Sequence, residues 1–163
     1  MTAPAPAQAF ETGVRAFDFL FGTWTVRHRL LKQRGVGCAE WMEFEGACEC
    51  QPRLDGAANI EEHHFTGRGD KGIALRLFDP STGAWSVYWV SSRDGLLCPP
   101  VVGVFDGPGC VFEGEDTDSG RPIHQRYIWS RTDTDTPRWE QDFSYDGGRT
   151  WERNWVMEWT RIA

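Results

Sequence analysis

From residue 22 onward the chain is a run of short segments in which large and polar side chains alternate, each closed by a turn signal. Trp24, Val26, His28 and Leu30 alternate with Thr25, Arg27 and Arg29, and Met42, Phe44, Gly46 and Cys48 alternate with Glu43, Glu45 and Ala47. A period of two marks a strand with one buried and one wet face. Further strands are expected over 57–65, 73–79, 85–91, 101–106, 110–115, 123–130, 138–145 and 151–161. Between them lie Asp79-Pro80-Ser81-Thr82-Gly83, Asp106-Gly107-Pro108-Gly109 and Asp146-Gly147-Gly148, residues that hairpin turns require. Short strands at regular spacing indicate a sandwich or a barrel. A Greek key needs a long crossover, and only 92–100 offers one. The expected fold is therefore all-β, an antiparallel up-and-down barrel of about ten strands.

Ahead of the strands, Val14, Phe17 and Leu20 have helical spacing. They predict a short helical segment over 12–20 that plugs one end with Phe17, Phe19 and Leu20. Residues 1–11 are rich in Ala and Pro and are expected to form a disordered tail. Residues 12–163 then make one domain, a size that buries a core without staples. The net charge of -7 argues against a nucleic-acid partner, because phosphate binding needs a basic surface. Five cysteines are an odd number with no framework spacing. The opening residues have neither the basic nor the apolar region of a signal peptide. Reduced thiols in the cytoplasm, with no membrane segment, are the expectation.

Two stretches resemble known families. Phe17-Asp18-Phe19-Leu20-Phe21-Gly22-Thr23-Trp24 contains the Gly-x-Trp that opens the first strand of lipocalin-like barrels. The stretches Leu75-Arg76-Leu77-Phe78-Asp79-Pro80, Trp85-Ser86-Val87-Tyr88-Trp89, Pro99-Pro100-Val101-Val102-Gly103 and Trp151-Glu152-Arg153-Asn154-Trp155-Val156-Met157-Glu158 are similar to a bacterial lipocalin-like (calycin) family of unknown function. That resemblance implies the fold and carries no catalytic residue. Nitrobindin and fatty-acid-binding-type barrels are a more distant likeness. The nitrobindin-like barrels hold haem through a histidine near the C-terminus, and residues 150–161 contain none, so haem is not expected. Ser144 to Trp151 matches the Asp-box of sialidase propellers. A single copy cannot build a propeller, and its expected role is to clip a hairpin.

Candidate site residues follow from alternation. If Trp24 points into the barrel, so does His28, which could orient a ligand or exchange a proton near neutral pH. In Glu61-Glu62-His63-His64 adjacent residues face opposite sides, so the two histidines cannot share an ion. A mixed site of Glu62, His64 and His28 is geometrically open, but nothing has zinc-like spacing, and no metal is expected. Cys48-x-Cys50 reads as core. Arg76 stands outside if Leu75 and Leu77 face in; if Ala74 and Phe78 face in, it becomes a carboxylate anchor. The same ambiguity touches Arg126, which shares a face with His124. On the last strand Trp151, Arg153, Trp155, Met157 and Trp159 share a side, which turns Arg153 inward and requires a partner such as Glu140 or Gln141.

The expected function is binding of a small hydrophobic or aromatic molecule among Trp24, Trp89, Tyr127, Trp139 and Trp155, with polar contacts from His28, His64, Arg76 and Arg153 and with no cofactor. Two alternatives stand beside it. One is a cofactor-free acid–base enzyme of the isomerase, cyclase or decarboxylase type using the same interior. The other is a structural or interaction protein whose barrel is filled by its rings. No nucleophile elbow or phosphate-cradling loop is present. The apolar connection 92–105, with Leu96, Leu97, Pro99, Pro100 and Val101, points to a homodimer.

Overall fold

In a computed structural model, which describes residues 13–163, ten antiparallel strands close into one barrel. They are β1 (Gly22–Leu31), β2 (Trp41–Arg53), β3 (Ala58–Phe65), β4 (Lys71–Asp79), β5 (Ala84–Ser91), β6 (Val101–Gly103), β7 (Cys110–Asp118), β8 (Arg121–Ser130), β9 (Arg138–Ser144) and β10 (Glu152–Arg161). Each strand pairs with its sequence neighbours, and β10 closes the ring on β1 through partners from Trp24↔Arg161 to Leu30↔Trp155. This is the up-and-down order expected, and closure leaves no free sheet edge. The expected tail and Thr12 lie outside the described residues.

The helical segment is reduced to a turn from residue 13 and a 3-10 turn, Asp18–Leu20. It nevertheless plugs the barrel. Phe17 and Leu20 are fully buried, and Phe17 meets Trp85, Phe105, Phe112 and Trp129 at ring-centroid distances of 4.9–6.3 Å. The Gly22-x-Trp24 opening locks this end. The Trp24 indole N–H donates to the Leu20 carbonyl (2.8 Å), while Arg161 stacks on the Trp24 ring and donates to the carbonyls of Phe19 and Phe21. Gly22 has φ +124°, and a Cβ there would stand 2.6 Å from the Ala163 carbonyl oxygen. Only glycine fits this turn into the first strand.

The connection between β9 and β10 is the clip expected. Asp146 accepts from the backbone N–H groups of Arg149 and Thr150 and from the Thr150 hydroxyl, and the Ser144 hydroxyl accepts from Gly148 N–H. The Thr150 hydroxyl and N–H, with the Ser144 hydroxyl and the Arg149 N–H, hold the Asp146 carboxyl down at about 2. Trp151 carries the Arg126 guanidinium on its ring at 4.1 Å. Among the described residues no helix is long and apolar enough to cross a membrane. All five cysteines are free.

Candidate functional site: a ring-walled cavity over a polar floor

The barrel is not filled solid. A cavity of about 420 Å³ runs down its interior from the end opposite the plug. Its walls carry Trp89 from β5, Tyr127 and Trp129 from β8, Trp139 and Phe143 from β9, and Trp155 and Trp159 from β10. Trp155 meets Trp89 and Trp139 edge-to-face at 6.1 and 5.8 Å, and Tyr127 meets Trp139 at 4.9 Å. Such rings supply flat apolar faces. At the mouth, Asp70 holds Arg68 and Arg93 (both 3.2 Å), and Asp118 takes Arg34 and the Tyr145 hydroxyl (both 2.7 Å).

The floor is polar. Glu61 is 2% exposed and lies between Arg76, whose Nη2 donates to Oε2 at 2.8 Å, and His63, whose Nε2 donates to Oε1. Arg76 Nη1 donates to Asn59 Oδ1 (3.0 Å), and its guanidinium stands 4.9 Å from the Phe17 ring of the plug. Burial alone would raise the Glu61 carboxyl, but the Arg76 guanidinium and His63 outweigh it and hold it down at about 2. The carboxylate is therefore ionised, and its salt bridge is buried at the base of the cavity.

β2 and β3 explain the assembly. Their register sets Cys48 opposite His63 and Cys50 opposite Glu61, while β4 sets Arg76 opposite Asn59. Asn59, Glu61, His63 and Phe65 share the inward face, so Glu62 and His64 point out and pair with each other at 2.9 Å. The expected place of His64 in the site is corrected: its side chain is 52% exposed, and His63 is the histidine inside. The mixed Glu62, His64 and His28 set is not assembled for the same reason. One donor atom each from Cys48, Glu61 and His63 lies within 4.8 Å of the others, the one such trio among the described residues. Arg76 already occupies Glu61, and burial, with the Glu61 charge adding to it, drives the Cys48 thiol up. The thiol therefore stays protonated, and the Glu61 carboxylate is already matched by a guanidinium.

Arg76 takes the inward alternative. It is 3% exposed on the Ala74/Phe78 side, and the carboxylate it anchors belongs to Glu61 of the protein itself. Arg153 is corrected to the outside. β10 carries a bulge at Asn154, so Arg153 opposes Asp142 whereas Trp155 opposes Gln141. Two residues then span one step of the partner strand and the alternation flips. Arg153 bonds Asp142 (2.9 Å) and Glu140 (3.0 Å) on the outer surface, beside Arg126 on Asp142 (2.9 Å).

Of the other expected residues, Trp89, Tyr127, Trp139 and Trp155 line the cavity with Arg76. Trp24 is buried in the closed end against Trp159, and His28 is buried in the wall behind the lining. The His28 Nδ1 accepts from the Trp155 indole N–H at 3.1 Å, so its proton sits on Nε2. Burial, His63 and Arg68 together push His28 down to about 3, leaving it neutral. Val101, expected in the exposed loop, is fully buried, whereas Leu96 and Leu97 are exposed.

Glu61, His63, Asn59 and Gln125 were not expected in the interior, and Gln141, expected there as a partner of Arg153, instead donates to Asn154. Phe65, an apolar residue in step with Glu61 and His63, is the signal that marks their face as inward. Several buried polar atoms have no hydrogen-bond partner: Arg76 Nε, Gln125 Nε2, Trp159 Nε1, His63 Nδ1, His28 Nε2, Asn59 Nδ2 and Asn154 Nδ2. Each costs about 1–3 kcal/mol while it stays unpaired. No protein-family model and no curated protein matches the chain.

Proposed function

We propose that the barrel binds a small, flat, largely apolar molecule in its interior. The observation that carries this reading is the cavity of about 420 Å³ with tryptophan and tyrosine rings on its walls between a charged mouth and the Glu61–Arg76 floor. That volume falls in the range of about 300–1,000 Å³ typical of small-molecule sites. The lipocalin-like resemblance of the opening agrees with it, although a fold alone does not assign a function. The neutral dye N-phenyl-1-naphthylamine tests it. One dye per chain should bind with quenching of tryptophan emission. Ala74→Phe, which projects a ring into the cavity beside Glu61 and Trp89, should weaken binding at least tenfold. Equal binding by a folded Ala74→Phe variant would overturn the proposal.

A second reading, a cofactor-free acid–base enzyme, is favoured by one observation. With its Nε2 proton on Glu61, His63 has Nδ1 as an unpartnered lone pair in its neutral form, the arrangement of a carboxylate-oriented base. Such a base would take an α-proton from the methyl ketone 2-acetonaphthone and let a solvent deuteron replace it. Proton NMR in D2O should show exchange faster with wild type than with His63→Gln; equal rates sink this reading.

Two further points belong to the same proposal. The free thiols of Cys48, Cys50 and Cys110 fit a reducing, cytoplasmic compartment. Exposed Leu96, Leu97, Val102, Val104 and Val111 support a homodimer. Wild type should sediment at twice the chain mass and the Leu96→Asp, Leu97→Asp variant at the chain mass; wild type at the chain mass contradicts it.

A further inference from the structure

The seven unpartnered buried atoms have a direction. Arg76 Nε, Trp159 Nε1, Gln125 Nε2, Asn59 Nδ2 and Asn154 Nδ2 are donors. His28 Nε2 is a sixth, because its Nδ1 is committed as acceptor to Trp155. The seventh, His63 Nδ1, is an acceptor in the neutral imidazole and a donor in the protonated one. Three of the donors, on Arg76, Gln125 and Trp159, belong to residues that line the cavity, and these side chains are 1–3% exposed. They come from β4, β8 and β10, three separate strands of the ring. Arg76 and Trp159 lie at the plug end, 6.0 and 5.6 Å from the Trp129 ring, while Gln125, opposite Phe143, lies nearer the mouth. An oxygen at the floor of the cavity is what the first two donors recognise.

Charge narrows the class. The floor holds one guanidinium, on Arg76, and one carboxylate, on Glu61, bonded to each other at 2.8 Å. These two charges cancel. A carboxylate arriving from a ligand would lose its water and find the guanidinium already matched, whereas a neutral carbonyl accepts hydrogen bonds without adding a charge. Resting on the binding function proposed above, we infer that the site selects flat aromatic molecules bearing an uncharged carbonyl oxygen, such as aryl ketones, lactones or amides, over the unsubstituted ring and over the aryl carboxylate.

A matched naphthalene series tests this by titration calorimetry on the full chain at pH 7.5. 2-Acetonaphthone carries the neutral carbonyl, 2-naphthoate the carboxylate and naphthalene neither. 2-Acetonaphthone should bind at least tenfold tighter than either of the others. Trp159→Phe keeps an aromatic ring and removes the N–H. It should reduce the ratio of 2-acetonaphthone to naphthalene affinity at least threefold, and this ratio is insensitive to a uniform loss of packing. Equal affinity for 2-acetonaphthone and naphthalene, or an unchanged ratio in the variant, overturns carbonyl recognition while leaving the binding function standing. Tighter binding of 2-naphthoate overturns the choice of an uncharged head. Failure of all three to bind removes the binding function itself.

Discussion

Glu61 and Arg76 are the residues on which the interior turns. A carboxylate and a guanidinium 2% and 3% exposed are tolerable only because they face each other, and removal of one partner strands the other. Arg76→Leu should lower the unfolding free energy by about 3–5 kcal/mol. Adding Glu61→Leu to it should restore much of that loss. Urea midpoints of the two single variants and the double variant check this, and strictly additive losses would contradict it.

His28 supplies a pH dependence of the opposite origin. Its imidazole titrates near 6.5 when solvated and only at about 3 in the barrel. The unfolded chain therefore binds a proton that the folded chain refuses, and stability falls as the pH drops from 6.5 toward 3, by up to about 1.4 kcal/mol per pH unit. His28→Gln, which keeps an acceptor for the Trp155 indole, should flatten the stability profile between pH 6.5 and 4.5. The Glu61 carboxyl, held down at about 2, contributes stability that is complete above its unfolded value and lost as the pH falls toward 2. That acid limb should survive in the variant. A wild-type slope in His28→Gln between pH 6.5 and 4.5 would sink the assignment.

At the scale of elements, alternation made all ten strands legible. The facing of individual strands depended on how strongly one side was apolar. β1 could be read directly, since Trp24, Val26 and His28 are all inside. β3 is polar on both sides from Glu61 to His64, so its face is decided by pairing with β2 and β4. β4 is misleading, because the inward side carries Arg76 while Ile73 and Leu77 are 37% exposed. In β10 one extra residue, Asn154, reverses the alternation behind it, and nothing local distinguishes it from its neighbours. Asn154 is fully buried and accepts from Gln141 Nε2 at 2.7 Å. Asn154→Ala would leave that donor unpaired at a cost of about 1–3 kcal/mol, readable as a shift in the urea midpoint. β6 is the weak stave. Three residues long, it has three register partners on β5 and one on β7. Amide exchange should be fastest among the strands at β6 and slow in β1 and β2, whose ladder spans ten residue pairs.

For the whole molecule, a closed ring of strands answers two demands at once. It pairs the backbone around the whole ring, most thinly at β6, and it surrounds a volume that side chains fill only in part. The plug of Phe17 and Leu20, with the Trp24–Arg161 lock, closes one end. The ion pairs of Asp70 and Asp118 rim the other. The rings crowd the middle, and the Glu61–Arg76 pair lies above the plug, so entry through the charged rim leads past apolar faces to a polar floor. A crystal structure of the protein soaked with 2-acetonaphthone tests this arrangement most directly. The ring system should lie between Trp89, Trp139 and Trp155, with its carbonyl oxygen within about 3.2 Å of the N–H groups of Arg76 or Trp159. A ligand seated with its carbonyl toward the mouth, or bound only on the outer surface, would contradict it.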